Sequence, residues 1–146
     1  MKIYIDADGS PVVNIAIKVA REFSIEIIVV KNYAHKIEDD YAHIVSVDIS
    51  QDSADLYIVN HLEEGDLVVT QDYGLAALSL GKDAYVLDQN GMSFTKENIN
   101  NLLNRRHIHA KIRRQGKYHS NIKKRKSDSD FQFESKLREI IISTMT

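Results

Sequence analysis

The chain has 146 residues, 43% of them hydrophobic, and a formal net charge of −2 at pH 7. This length and composition fit one globular domain with a single hydrophobic core. No apolar stretch approaches the roughly 20 residues that span a bilayer, and residues 1–5 form a strand pattern rather than a secretory signal, so we expect a cytoplasmic protein. The absence of cysteine excludes disulfides, thiolate nucleophiles and sulfur-ligated zinc.

Hydrophobic periodicity predicts strands that alternate with helices. The predicted strands are, in chain order, 2–5, 26–30, 43–47, 67–70 and 84–87. The predicted helices cover 11–23, 52–62, 75–80 and 131–143, and another begins after Thr95, where Phe94 and Ile99 resemble a hydrophobic staple. This alternation predicts an α/β protein with three α/β/α layers around a central, mainly parallel five-stranded sheet.

The charge distribution divides the chain into two parts. We assign residues 1–104 to the α/β domain and 105–146 to a basic segment and a C-terminal helix packed on the same domain, with a loop or tail at 116–129. Residues 105–126 contain ten Lys or Arg and no acid, whereas the other residues contain nine basic and twenty-one acidic side chains. Such segregation is typical of a chain that binds a polyanion, so we expect a nucleic-acid partner, preferably RNA, and a homo-oligomer is also compatible. The predicted nucleic-acid-binding residues of the segment are Arg105, Arg106, Lys111, Arg113, Arg114, Lys117, Lys123, Lys124, Arg125 and Lys126.

Two aspartates end the first predicted strand. Asp6 and Asp8 are two residues apart, so in an extended chain their side chains point to the same face at the carboxyl end of the strand. Ligands of parallel sheets bind at this end. Two carboxylates roughly 4 Å apart repel each other by about 1 kcal/mol in water and about 4 kcal/mol near a protein surface. The pair therefore indicates a bound cation, and Mg²⁺ or Mn²⁺ prefers such oxygen ligands.

Two further acids are expected at the same sheet edge. Asp72 follows the fourth predicted strand, and Asp55 lies in the first turn of the second helix. With Asp6 and Asp8 they would form a catalytic metal site for hydrolysis of a phosphate ester. Each also has a structural interpretation, because Asp72 can cap a helix and Asp55 can complement a helix dipole. Ser10, predicted as the cap of the first helix, is placed to contact a phosphate.

The motifs Ile5-Asp6-Ala7-Asp8-Gly9-Ser10-Pro11-Val12, Asp52-Ser53-Ala54-Asp55 and Gly65-Asp66-Leu67-Val68-Val69-Thr70-Gln71-Asp72 together resemble those of the YaiI/YqxD family of bacterial proteins. That family is itself similar to PIN-domain nucleases. The resemblance implies a parallel sheet in the order 3-2-1-4-5 and cleavage of RNA with Mg²⁺ or Mn²⁺. The acids of the PIN pattern correspond to Asp6, Asp8, Asp55 and Asp72. Position 9 holds Gly where the family often has Cys, and the family's Asp-Arg pair before the last helix is absent, with Ser129-Asp130 nearby instead.

Three functions follow from these observations. The first is a divalent-metal-dependent nuclease that cleaves RNA. The second is a phosphatase of the haloacid-dehalogenase type, in which Asp6-Ala7-Asp8 supplies the nucleophile and its acid partner and Thr70 the second motif, although a clear catalytic lysine is missing. The third is an RNA-binding or ribosome-associated module without turnover. Dependence on metal distinguishes the first from the third.

Overall fold

The structure is a computed structural model, and it describes residues 1–32, 36–48, 53–105 and 127–145. Its centre is a six-stranded sheet in the order β3-β2-β1-β4-β5-β6. The strands are β1 (Lys2–Asp6), β2 (Glu26–Asn32), β3 (His43–Val47), β4 (Leu67–Val69), β5 (Tyr85–Leu87) and β6 (Ser93–Phe94). All neighbouring strands are parallel except β5 and β6. The α/β class and the order 3-2-1-4-5 are therefore confirmed, and the short β6 is an additional edge strand.

Within the described ranges, five helices cover the two faces of this sheet. They are α1 (Val13–Glu22), α2 (Ser53–His61), α3 (Tyr73–Gly81), α4 (residues 99–105, to the end of a described range) and α5 (Ser127–Thr144). The buried apolar side chains form two clusters. Cluster 1 lies between one face of the sheet and the helices α1 and α5, and cluster 2 lies between the opposite face and the helices α2, α3 and α4. These helices and the sheet form the three layers that the alternating pattern predicts. Within the described ranges, no helix has the length and apolarity needed to cross a membrane.

The first helix begins two residues later than predicted. Val12, not Ser10, is the N-cap of α1, and no side chain caps this helix. The Ser10 hydroxyl instead accepts a hydrogen bond from the Val12 backbone N–H, at 3.4 Å. The Ser10 backbone N–H donates to the Ala7 carbonyl, at 3.0 Å, so Ser10 belongs to the turn that leaves β1. The prediction of Ser10 as the cap was wrong because this turn occupies residues 7–12 before the helix starts.

The C-terminal helix is longer than predicted and is part of the core. It begins at Ser127 rather than residue 131, with Asp128 and Asp130 in its first turn, where acids complement the helix dipole. Residues 127–129 are therefore helical, and the remainder of the predicted loop at 116–129 lies outside the described residues. The inward-facing side chains Phe133, Leu137 and Ile141 are fully buried in cluster 1.

Two turns have the contacts and backbone angles that their residue types predict. Thr95 and Asn98 cap α4 reciprocally, since the Asn98 N–H donates to the Thr95 hydroxyl at 3.1 Å and the Thr95 N–H donates to the Asn98 side chain at 2.9 Å. Phe94 and Ile99 are both buried in cluster 2, as a hydrophobic staple requires. Gly91 has φ +86° in the turn before β6, and a Cβ there would lie 2.6 Å from a backbone carbonyl oxygen of α5.

Candidate functional site

A buried threonine joins the carboxyl ends of the two central strands. Asp6 is the last residue of β1, and Thr70 directly follows β4, the parallel neighbour of β1. The Thr70 hydroxyl donates a hydrogen bond to Asp6 Oδ2, at 3.1 Å, and accepts one from the Asp72 backbone N–H, at 3.0 Å. Thr70 is 2% exposed. Its side chain therefore fixes the Asp6 carboxylate relative to the start of α3.

The pKa of Asp6 is governed by burial, one hydrogen bond and two neighbouring carboxylates. Burial raises the pKa of Asp6 above its ordinary value, the hydrogen bond from Thr70 lowers it, and the negative charges of Asp8 and Asp72 raise it further. The net effect is a raised pKa. Since like charges and burial both disfavour the ionised form, a cation beside Asp6 would be stabilised by the same three carboxylates.

Asp6 and Asp8 line a small cavity at this edge. Its volume is about 40 Å³, room for a water molecule or a small ion but too little for a nucleotide. The cavity is lined by Asp6, Asp8, Gly9, Ser10, Val69, Thr70, Gln71 and Gln89. Asp8 Oδ1 accepts a hydrogen bond from the Asn32 backbone N–H, at 3.3 Å, which ties it to the end of β2.

Two glutamines also line this cavity. Gln71 Oε1 accepts a hydrogen bond from the Gln89 backbone N–H, at 2.7 Å, and so connects the loop after β4 with the loop after β5. Because the oxygen of the Gln71 amide is used in this way, its NH₂ group is the part that can donate to a bound anion. The cavity thus combines two carboxylates, a serine hydroxyl and amides, and its carboxylate oxygens are ligands of the kind that a small cation takes.

Asp55 and Asp72 line a neighbouring, larger cavity between α2 and α3, of about 600 Å³. Asp55 lies in the first turn of α2, and Asp72 is the N-cap of α3. Asp72 Oδ1 accepts hydrogen bonds from the backbone N–H groups of Gly74, at 2.8 Å, and Leu75, at 3.1 Å. The structural role of Asp72 as a helix cap is therefore observed, in addition to its electrostatic effect on Asp6.

The four predicted acids are consequently not one set of metal ligands in this structure. Among the described residues, no three side chains of Asp, Glu or His are placed to hold one metal ion together. Asp6 and Asp8 share the small cavity, whereas Asp55 and Asp72 share the larger one. The physical reason is local, because one oxygen of Asp72 is directed to the backbone of α3. Direct metal binding by Asp55 and Asp72 stays a prediction.

Of the predicted nucleic-acid contacts, two can be placed. Ser10 lines the small cavity, and Arg105 is exposed at the end of the described part of α4. The others, from Arg106 to Lys126, lie outside the described residues. Sequence reasoning did not place Gln71 or Gln89 in the site, and it gave Thr70 no part in a metal site. The available signal was position, since Thr70 and Gln71 follow β4 just as Asp72 does.

The fold and these cavities define an α/β protein with an acidic pocket at the carboxyl edge of its parallel sheet. A family model described as "Uncharacterized BCR, YaiI/YqxD family" matches residues 4–143. The chain therefore belongs to the YaiI/YqxD family, as its motifs predicted.

Relatives in other bacteria are similar over nearly their whole length. The chain is 49% identical to a "UPF0178 protein" of Natranaerobius thermophilus over 142 residues, 97% of each chain. It is 48% identical to a "UPF0178 protein" of Alkaliphilus oremlandii over 134 residues, 92% of this chain and 86% of the relative. No solved structure matches the chain.

Proposed function

We propose that this protein is a divalent-metal-dependent phosphodiesterase that cleaves RNA. The observation that carries the proposal is the pairing of Asp6 and Asp8 in one small cavity, where burial and the charges of Asp8 and Asp72 raise the pKa of Asp6. An arrangement with so much negative charge and so little room is stabilised by a small cation of high charge. The resemblance to PIN-domain nucleases supports the same chemistry by analogy.

The donor set fits Mg²⁺ or Mn²⁺. Mg²⁺ is ordinarily held by one or two carboxylates, with waters and substrate phosphate oxygens as its other ligands. Asp6 and Asp8 supply two carboxylates, so a third protein carboxylate is not required. A cation at this place supplies positive charge against the phosphate and makes a coordinated water more acidic.

The chain's own residues supply position and hydrogen bonds. Thr70 holds the Asp6 carboxylate in place, and the Asn32 backbone N–H holds Asp8. The Ser10 hydroxyl and the Gln71 amide, which line the same cavity, would donate hydrogen bonds to the phosphate oxygens. The basic residues from Arg105 to Lys126 would bind neighbouring phosphates without selecting a sequence.

The test is a calorimetric titration of Mn²⁺ into wild type, Asp6→Asn and the control Asp128→Asn, which changes an exposed acid on α5. We expect Asp6→Asn to weaken Mn²⁺ binding at least tenfold and Asp128→Asn to leave it unchanged. Labelled RNA is then incubated with each protein, with and without EDTA. Asp6→Asn should lose metal-dependent cleavage and keep most RNA binding.

Two results would contradict the proposal. Equal Mn²⁺ affinity in wild type and Asp6→Asn would place any metal elsewhere. RNA binding that is indifferent to metal, with no cleavage in wild type, would favour a binding module instead. Formation of a phosphoaspartate on Asp6 would favour a phosphatase.

A further inference from the structure

The cavity between α2 and α3 has apolar walls that reach the surface. Leu56 and Leu78 are 62% and 57% exposed, although both are large hydrophobic side chains. They line the same cavity, together with Val59, Leu75 and Ala77. Single exposed leucines are ordinary, but two on one concave surface are typical of a place where an apolar group binds. The volume of about 600 Å³ is in the range of small-molecule sites.

This cavity adjoins the small acidic cavity. Asp72 lines the larger cavity, and its backbone N–H donates a hydrogen bond to the hydroxyl of Thr70, which lines the smaller one. A phosphate at Asp6 and Asp8 would therefore have part of its own molecule next to the leucines. The small cavity has no room for a nucleotide, so the nucleoside must lie outside it. The larger cavity lies next to it, because the Asp72 N–H donates to Thr70, and it has the volume for that group.

The polar groups of the larger cavity are carboxylates at its border, and carboxylates accept hydrogen bonds but do not donate them. One oxygen of Asp72 accepts two backbone N–H groups, and Asp55 lies in the first turn of α2 beside Leu56, which lines the same cavity. A flat apolar ring with an exocyclic amino group matches such a border, as cytosine does when an acidic residue accepts a hydrogen bond from its N4 amino group.

We propose that the cavity between α2 and α3 binds the nucleobase adjacent to the phosphate held at Asp6 and Asp8. The base packs between Leu56 and Leu78, and its amino group donates a hydrogen bond to Asp55. The inference rests on the proposed function for the location of the phosphate. It gives the enzyme a preference for bases with an amino group over uracil, and it gives Asp55 a role that does not involve touching the metal.

The test measures binding rather than cleavage. Three fluorescein-labelled RNA pentamers, one of cytidine, one of uridine and one of cytidine with an abasic ribose at its centre, are titrated by anisotropy, and their integrity is verified on a gel. We expect wild type to bind the cytidine pentamer at least tenfold more tightly than the other two. In Leu56→Ser/Leu78→Ser this difference should fall below twofold. Both side chains are exposed, so the fold should be retained, and circular dichroism verifies this.

Two further variants sharpen the result. The control Phe131→Ser/Ile142→Ser changes two side chains of α5 that are 74% and 53% exposed, and it should keep the preference for cytidine. In Asp55→Asn the side chain can donate as well as accept, so uridine should gain affinity relative to cytidine.

Several outcomes would overturn the inference. These are equal binding of all three pentamers by wild type, binding of none, and an unchanged preference in the leucine variant. Loss of a dimer in the leucine variant, with the preference unchanged, would identify the cavity as an interface between copies. A preference that depends on the leucines, in a protein that cleaves no RNA, would support the base site and refute the nuclease. Cleavage without preference would do the reverse.

Discussion

Replacing Thr70 with valine tests whether its hydroxyl organises the site. Valine has nearly the same shape, but it can neither donate to Asp6 Oδ2 nor accept from the Asp72 backbone N–H. The change therefore removes two hydrogen bonds from a side chain that is 2% exposed, with little change in packing volume. The matched variant Thr70→Ser keeps the hydroxyl and removes only a methyl group.

The expected loss of stability follows from those two bonds. A hydrogen bond to a carboxylate contributes about 1.5–3 kcal/mol, and one from a backbone N–H about 0.5–1.5 kcal/mol. The extra buried methyl group of valine offsets about 1 kcal/mol. The free energy of unfolding should therefore fall by about 2 kcal/mol, which lowers the melting temperature of a chain of this size by about 4–8 °C. Thr70→Ser should cost about 1 kcal/mol through its lost methyl group.

The pKa of Asp6 gives the more selective measurement. The Thr70 hydrogen bond lowers this pKa, so Thr70→Val should raise it further, whereas Thr70→Ser should leave it near the wild-type value. It is measured by NMR titration of the Asp6 carboxyl carbon. The stability deficit of Thr70→Val should be largest near pH 7 and should shrink as the pH falls through the Asp6 pKa, because the bond to an ionised carboxylate is then lost in wild type as well. An Asp6 pKa that is the same in the valine and serine variants would refute the reasoning.

Three other predictions concern stability. Asp6→Asn should melt above wild type at pH 7, because the folded protein no longer contains a buried carboxylate of raised pKa. This gain in melting temperature should vanish as the pH falls towards 3.8, below which Asp6 is protonated in both the folded and the unfolded state. Equal melting at pH 7 would contradict this. In Gly91→Ala the free energy of unfolding, measured in urea, should fall by about 2 kcal/mol or more, because φ is +86° and the new Cβ would lie 2.6 Å from a carbonyl oxygen of α5. Gly81 has open space around it, so the stability of Gly81→Ala should be within about 1 kcal/mol of wild type. Leu137→Ala should cost about 2–5 kcal/mol and Ile142→Ala less than about 0.5 kcal/mol, since the first side chain is 0% and the second 53% exposed; similar losses would show that α5 is not part of the core.

The sheet was predictable because its strands are short apolar runs separated by clear helix and turn signals. The run from Leu67 to Val69 is buried on both faces of the sheet, as continuous apolar strands of parallel sheets are. The order of the strands came from the family resemblance rather than from periodicity, which contains no information about neighbours. The strand Ser93–Phe94 was missed because two residues are too few for a periodic pattern, and only its antiparallel pairing with β5 defines it.

Helix starts were less predictable, and α1 shows why. Ser10 and Pro11 have the residue preferences of a cap and a first helical residue, and those preferences describe isolated helices. In the folded protein the chain leaves β1 through a turn in which the Ser10 N–H donates to the Ala7 carbonyl. Because this turn must finish first, the helix begins at Val13. Tertiary geometry therefore determined the position that local preference could not.

In the candidate site, too, sequence reasoning predicted some contacts and not others. The two-residue spacing of Asp6 and Asp8 predicted that they lie together, and both line one cavity, although Asp8 belongs to the turn after β1, where the alternation rule for strands does not apply. Whether Asp55 and Asp72 meet them depends on the packing of α2 and α3 against the sheet, for which spacing gives no rule. Their carboxylates line a different cavity, and one oxygen of Asp72 is directed to the backbone of α3.

Asp72 caps a helix and also adds negative charge beside Asp6, and Thr70 makes hydrogen bonds with both aspartates. Thr70 ends its strand facing Asp6, and Asp72, two residues later, caps the next helix with its side chain. The carboxylate that stabilises the start of α3 is thus the same one that raises the pKa of Asp6. Removing the charge by a change to alanine would also remove the cap, which contributes about 1 kcal/mol. Fold stability and the negative charge beside Asp6 are coupled through a single side chain, and a cation bound at Asp6 would relieve the repulsion while leaving the cap in place.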